Sequence, residues 1–69
     1  MNDAAEIIGR LYEAVEYIRL ARLKIDGAQC LLIANESRED YRVTKMDESK
    51  LDLWAVMRDL HELAKEFVQ

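Results

Sequence analysis

Apolar residues recur along the first half of the chain at Ile7, Leu11, Ala14, Ile18, Ala21, Ile25, Ala28 and Leu32, at alternating intervals of four and three. That rhythm holds one stripe of an α-helix against a partner for about seven turns. Asp3 followed by Glu6 has the spacing of a capping box, with Asp in place of Ser or Thr, so the helix is expected to open at residue 4. After Leu11 the stripe alternates large and small, with Ala14, Ala21 and Ala28 seven residues apart. Small residues at that spacing let a facing helix approach near the lower end of the usual ~8 to 10 Å separation.

The pair Asp26-Gly27 is the one turn signal in this segment. Because the stripe passes through it without losing phase, a single helix is predicted over about 4–35. A glycine in a helix interior costs roughly 1 kcal/mol relative to alanine, which calls for a compensating contact. A second apolar line supplies a candidate: Leu20, Leu23, Gly27, Cys30 and Ala34 alternate by three and four and lie almost opposite the first stripe. These five residues are expected to form a homodimer interface, with Gly27 as its point of close approach.

Residues 35–46, NESREDYRVTKM, interrupt the pattern with a dense polar run and are expected to form the connection, with Ser37 and Asp40 supporting a short helical turn. Asp47 or Ser49 would then cap a second helix over about 47–68. Leu53, Val56, Met57, Leu60, Leu63, Ala64 and Phe67 give it a broad apolar face, with Asp52, Asp59, Glu62 and Glu66 largely outside. At 1.5 Å per residue the helices would be roughly 48 and 33 Å long. The second would therefore cover mainly the later part of the first, leaving residues 4 to about 11 as an overhang. The expected fold is all-α: a single domain, 1–69, forming an antiparallel helical hairpin that pairs into a homodimeric four-helix bundle. The alternative is helix, short β-hairpin, helix, because AQCLLIAN is densely apolar and YRVTK alternates. An isolated two-stranded ribbon needs a further surface to be stable, which favours the helical reading.

Length strengthens the expectation of a dimer. A core built from 69 residues barely offsets the entropy of ordering the chain. With one cysteine and one histidine, Cys30 and His61, neither a disulfide nor a structural metal is expected to help. Proline is absent and glycine occurs twice, as a helical protein requires. The net charge of -4 and pI near 4.9 argue against a chain whose main task is holding a phosphate backbone. No apolar run reaches the roughly 20 residues of a membrane span, and the acidic, amphipathic beginning of the chain does not read as a signal peptide. A cytoplasmic protein with Cys30 reduced and no membrane contact is expected.

Candidate chemistry is sparse. His61 sits in RDLHELAKE, and the position three residues before it, where helical di-metal sites place a Glu, holds Arg58. Cys30 has no CxxC partner, and its neighbours Leu31, Leu32 and Ile33 would raise a buried thiol's pKa rather than activate it. There is no phosphate-cradling Gly-rich loop, HExxH or GxSxG. No catalytic residue, metal site or cofactor is expected, and the chain does not read as an enzyme. Tyr41, Arg42 and Trp54 are the candidate contacts for another protein, because aromatic residues and Arg anchor interfaces. Arg19, Arg22, Arg38, Arg42 and Lys45 support the alternative of nucleic-acid binding, diluted by Asp26, Glu36, Glu39 and Asp40 among them.

The pattern of a helical hairpin with small residues seven apart, needing a second copy, is similar to the Rop type of four-helix dimer. The similarity implies the dimeric architecture and transfers no RNA-binding residue. The functional expectation is a small, non-enzymatic regulator of bacterial or phage type. It would act by protein-protein binding as a homodimer, in the manner of an adaptor, inhibitor or antitoxin.

Overall fold

A computed structural model describes residues 3–68 as two α-helices, α1 (Ala4–Asn35) and α2 (Tyr41–Lys65), joined by a tight polar turn. No strand is present among the described residues, so the β-hairpin alternative is excluded. AQCLLIAN continues α1, and YRVTK is the first turn and a half of α2.

The start of α1 at Ala4 is as expected, but the capping box is not formed. Asp3 has helical dihedrals, φ -83° and ψ -6°, and makes no side-chain cap bond. Its carbonyl instead accepts the Ile7 N–H at 2.9 Å. Further along, α1 runs through Gly27 without interruption. No glycine among the described residues has positive φ, and a Cβ added at Gly27 would meet nothing within 4 Å. Gly27 is thus an ordinary, exposed helical position within the hairpin, and its cost is the propensity cost alone.

The largest correction concerns the connection. It spans only residues 36–40, and α2 begins at Tyr41 rather than near 47. The cap is Asp40, not Asp47 or Ser49: its backbone is extended, φ -58° and ψ 131°, and its Oδ1 accepts the Arg42 N–H at 2.8 Å. The turn before it is closed by Ser37, whose Oγ accepts the Glu39 N–H at 3.0 Å and whose carbonyl accepts the Asp40 N–H at 3.2 Å. At the end of α1 the Leu32 carbonyl accepts the Glu36 N–H, and Asn35 Nδ2 folds back to donate to the Leu31 carbonyl. A reversal this short needs neither Gly nor Pro because side-chain oxygens replace the missing backbone partners.

The helices are antiparallel and in close register. Arg22 meets Lys50, Gln29 meets Val43, and Tyr12 meets His61, pairs whose numbers total 72, 72 and 73. Val68 therefore lies at the level of the first residues of α1. The expected overhang of residues 4 to 11 is not there, because α2 starts six residues sooner than its apolar face suggests.

Both helices meet along heptad seams. On α1 the partly or fully buried line is Ile8, Leu11, Val15, Ile18, Arg22, Ile25, Gln29 and Leu32; on α2 it is Val43, Met46, Lys50, Leu53, Met57, Leu60 and Ala64, continued by Phe67 in the turn just past its end. Leu11, Ile18, Ile25 and Leu32 stand where the apolar rhythm put them. The rest of the expected stripe stands beside the seam, one position before the residues that occupy it: Ala14 is still partly buried, Ile7, Ala21 and Ala28 are exposed, and Val56 and Leu63 of α2 are displaced likewise, 45 % and 47 % exposed. Arg22 and Gln29 occupy seam positions, and their polarity disguised the true line.

The result is a thin rod. The buried hydrophobic residues are Val15, Val43 and Ala64, and no large side chain is fully buried among the described residues. Its Cα radius of gyration is 16.1 Å, against about 11 Å for a compact chain of this length.

Gly27→Ala is expected to raise stability by about 1 kcal/mol in denaturant unfolding, since nothing obstructs the methyl and the backbone is helical. The cap gives a pH test. Hydrogen bonds from the Arg42 side chain and backbone hold Asp40 down, from 3.8 to about 2, and keep the Arg42 guanidinium more firmly protonated than usual. A carboxyl depressed in the folded state contributes stability that is complete above its unfolded pKa and lost as pH falls through the folded one. Asp40→Asn keeps the cap acceptor, so the wild-type advantage over it in melting temperature should fade between about pH 4 and about pH 2.

Candidate partner-binding surfaces

Midway along the seam, polar groups replace the apolar layer. Gln29, 6 % exposed, donates through Nε2 to the Val43 carbonyl at 3.0 Å and to Asp47 Oδ1 at 2.7 Å. Its Oε1 accepts from Lys50 Nζ at 2.6 Å, and Lys50 also reaches Asp26 Oδ1 at 2.9 Å. Arg22 Nε donates to the Lys50 carbonyl at 3.2 Å. The hydrogen bond and charge of Asp26 hold the Lys50 pKa up, and the Gln29 hydrogen bond, with Lys50 nearby, holds the Asp47 pKa down. Every buried side-chain nitrogen or oxygen among the described residues has a partner. Such a set specifies one register of two helices, because sliding by a turn would strand Gln29 and Lys50 opposite apolar residues.

Three surfaces surround this seam. The outer face of α1 carries the five residues expected at a dimer interface, Leu20, Leu23, Gly27, Cys30 and Ala34, all exposed and turned away from α2. Cys30 is a free, exposed thiol rather than a packed one within the hairpin. A shallow depression lined by Arg19, Arg22, Leu23, Asp26 and Lys50 separates part of this face from the seam.

The second surface is a flank built by both helices. Ile7 lies near the level of Leu63 and Ala14 near that of Val56, each pair totalling 70 against 72 for the hydrogen-bonded pairs of the seam. Sequence reasoning assigned these residues to the seam itself. Their seven-residue repeat was visible, but nothing in it distinguishes a seam line from the line beside it.

The third surface, on the opposite flank, carries Tyr12 and His61, with ring centroids 5.5 Å apart and planes tilted by 58°. Trp54 lies on the same flank, half exposed, with the Arg58 guanidinium carbon 5.4 Å from its ring centre. Tyr41 and Arg42 are not part of this group. They belong to the first turn of α2, about 18 Å along the helix from Trp54 at 1.5 Å per residue. Tyr41 is exposed there and Arg42 is held by Asp40 at 2.8 Å. The three residues expected to contact another protein thus form two separate patches.

The basic residues are also dispersed. Arg19 pairs with Glu16 at 2.6 Å and Lys45 with Glu48 at 3.7 Å, while Arg22 is taken up by the seam and Arg38 stands in the turn. Each cation that faces a carboxylate offers less field to a phosphate. Among the described residues no group of three or more His, Cys, Asp or Glu side chains is arranged to hold a metal ion, and no helix is long and apolar enough to cross a membrane.

No protein-family model, curated protein or solved structure matches the chain.

The polar layer can be tested by replacing it. In the double variant Gln29→Leu with Lys50→Leu, the melting temperature should hold or rise, because an apolar layer packs as well as a hydrogen-bonded one. Amide NMR should then show extra or broadened peaks from alternative registers; a single sharp set would mean that register is fixed elsewhere.

Proposed function

We propose that this chain is a small, non-enzymatic regulator that acts by binding another protein, with the homodimer as its working form. An adaptor, inhibitor or antitoxin-like role of bacterial or phage type fits its size, and the cytoplasm suits its free, exposed thiol. The observation that carries the reading is the imbalance between core and surface. The hairpin exposes 5469 Å², about 1,000 Å² more than the roughly 4,500 Å² of a compact monomer of the same mass. A standard interface takes ~800 Å² from each partner, so one dimer contact removes most of the excess.

The exposed side chains support the second half of the proposal. Leu23, Leu31, Tyr17, Leu51 and Trp54 are spread over more than one side of the rod, so a single self-contact leaves apolar surface for a different protein. Trp54 with Arg58, and Tyr41 with Arg42, are anchors of the type that dominates protein interfaces. Nucleic-acid binding through Arg19, Arg22, Arg38, Arg42 and Lys45 is the less favoured reading, since four of the five are engaged within the hairpin.

If the dimer is the stable unit, the melting temperature must rise with protein concentration, because association stabilises only the folded form. Thermal unfolding followed by circular dichroism from about 1 to about 100 µM checks this. A sharp transition independent of concentration, with a monomer mass by light scattering, would defeat the reading.

A further inference from the structure

We infer that the second copy of the chain packs on the flank formed by Ile7, Ala14 and Ala21 of α1 with Val56 and Leu63 of α2, the two connections lying at the same end. The inference rests on the homodimer reading and specifies its surface and orientation.

Both helices contribute to this flank, in register. Ile7 with Leu63, Ala14 with Val56, and Ala21 with Ser49 are pairs at successive levels, and no charged side chain stands on these lines until Arg42, opposite Ala28. Ile7, Val56 and Leu63 are between 38 % and 47 % exposed, although each points beside the seam rather than away from it. A second hairpin laid on this strip covers α1 and α2 together, and the alanines let the helices approach closely. The outer line of Leu20, Leu23, Gly27, Cys30 and Ala34 belongs to α1 alone. A dimer formed there would leave Val56 and Leu63 in water.

Charge selects the orientation. Residues three positions on from the strip and its continuation to Ala28 and Arg42 form its rim: on α1 these are Arg10, Tyr17, Lys24 and Leu31, and on the second helical segment Lys45, Asp52, Asp59 and, just past the end of α2, Glu66. The charges of the first rim are basic, and those of the second are acidic apart from Lys45 at the connection end. Among the described residues Lys24, Asp52 and Glu66 make no ion pair, and those of Arg10 and Asp59 are loose, at 3.5 Å. With both connections at one end, a two-fold axis along the rod sets α1 of each copy beside α2 of the other. Arg10 then falls between the levels of Asp59 and Glu66 of the second copy. The reversed arrangement sets α1 against α1 and α2 against α2, basic rim on basic and acidic on acidic, which opposes association. The dimer so built is a four-helix bundle with its outer α1 faces free, which leaves the Leu20–Leu23–Cys30 surface for the protein target.

Sedimentation equilibrium on the full chain, with three readouts, tests this. Wild type should be a dimer; Ala21→Glu and Val56→Glu, both at exposed helical positions, should weaken the dimer at least tenfold while keeping helical circular dichroism, and Leu23→Glu should change it less than twofold. Copper-catalysed oxidation of native Cys30 should give little disulfide-linked dimer. Spin labels at Ser37→Cys in a Cys30→Ser background should lie about 20 Å apart, roughly two helix diameters, rather than near the 55 Å length of the rod. Wild type that is monomeric throughout overturns the homodimer reading and this inference with it. A dimer lost in Leu23→Glu but kept in Ala21→Glu and Val56→Glu, with Cys30 readily oxidised across it, overturns the surface alone. A long spin-label distance overturns the orientation.

Discussion

Two helices laid side by side can bury only one line of each, and everything else about this molecule follows from that limit. A seam two residues wide shields Val15, Val43 and Ala64, leaving the larger seam residues partly in water. Conformational entropy is lost along the full length of both helices, while apolar burial is confined to a strip between them. The hairpin is therefore a half-structure in energetic terms. Its flanks, which a larger protein would cover with its own chain, keep apolar side chains such as Ile7, Val56 and Leu63 partly in water.

Within that limit the polar layer of Arg22, Asp26, Gln29, Asp47 and Lys50 does a different job from the apolar residues around it. Apolar heptads tolerate sliding, since one Leu or Ile layer resembles the next. Gln29 bonded at once to the Val43 carbonyl, Asp47 and Lys50 does not. The layer gives up some burial and in return sets which residues of α1 and α2 stand level. That register places Ile7 beside Leu63 and Ala14 beside Val56, and so makes a continuous flank from two separate sequence repeats. The connection contributes to the same end, because Ser37 and Asp40 reverse the chain in five residues and bring α2 back along the whole of α1.

Much of this was legible beforehand. Absence of proline, the four-and-three rhythm, and its passage through Gly27 all pointed to one long helix, and the structure has it at the expected bounds. The start of α2 was misread because the polar run that opens at Asn35 continues into Arg42 and YRVTK alternates like a strand, and the signal that mattered was a single Asp at the right place before it. The seam was half right. Leu11, Ile18, Ile25 and Leu32 lie on it, but the alternate positions belong to Val15, Arg22 and Gln29 rather than to Ala14, Ala21 and Ala28, and an arginine and a glutamine on a seam make sense only once their partners are known. Those partners, Val43, Asp47 and Lys50, lie between 14 and 28 residues away along the chain.

Local sequence thus determined what local physics controls: helical propensity, the continuity of α1 through a glycine with ordinary dihedrals, the presence of a polar reversal, and more apolar faces than one hairpin can cover. Tertiary structure decided which of those faces is used internally. Adjacent lines on a helix differ by one residue, and the choice between them depends on hydrogen bonds between residues far apart in the chain. Only when Gln29 and Arg22 find their acceptors across the seam do Ile7 and Ala21 become surface, with Ala14 half-buried between them, and only then does a flank shared by both helices exist.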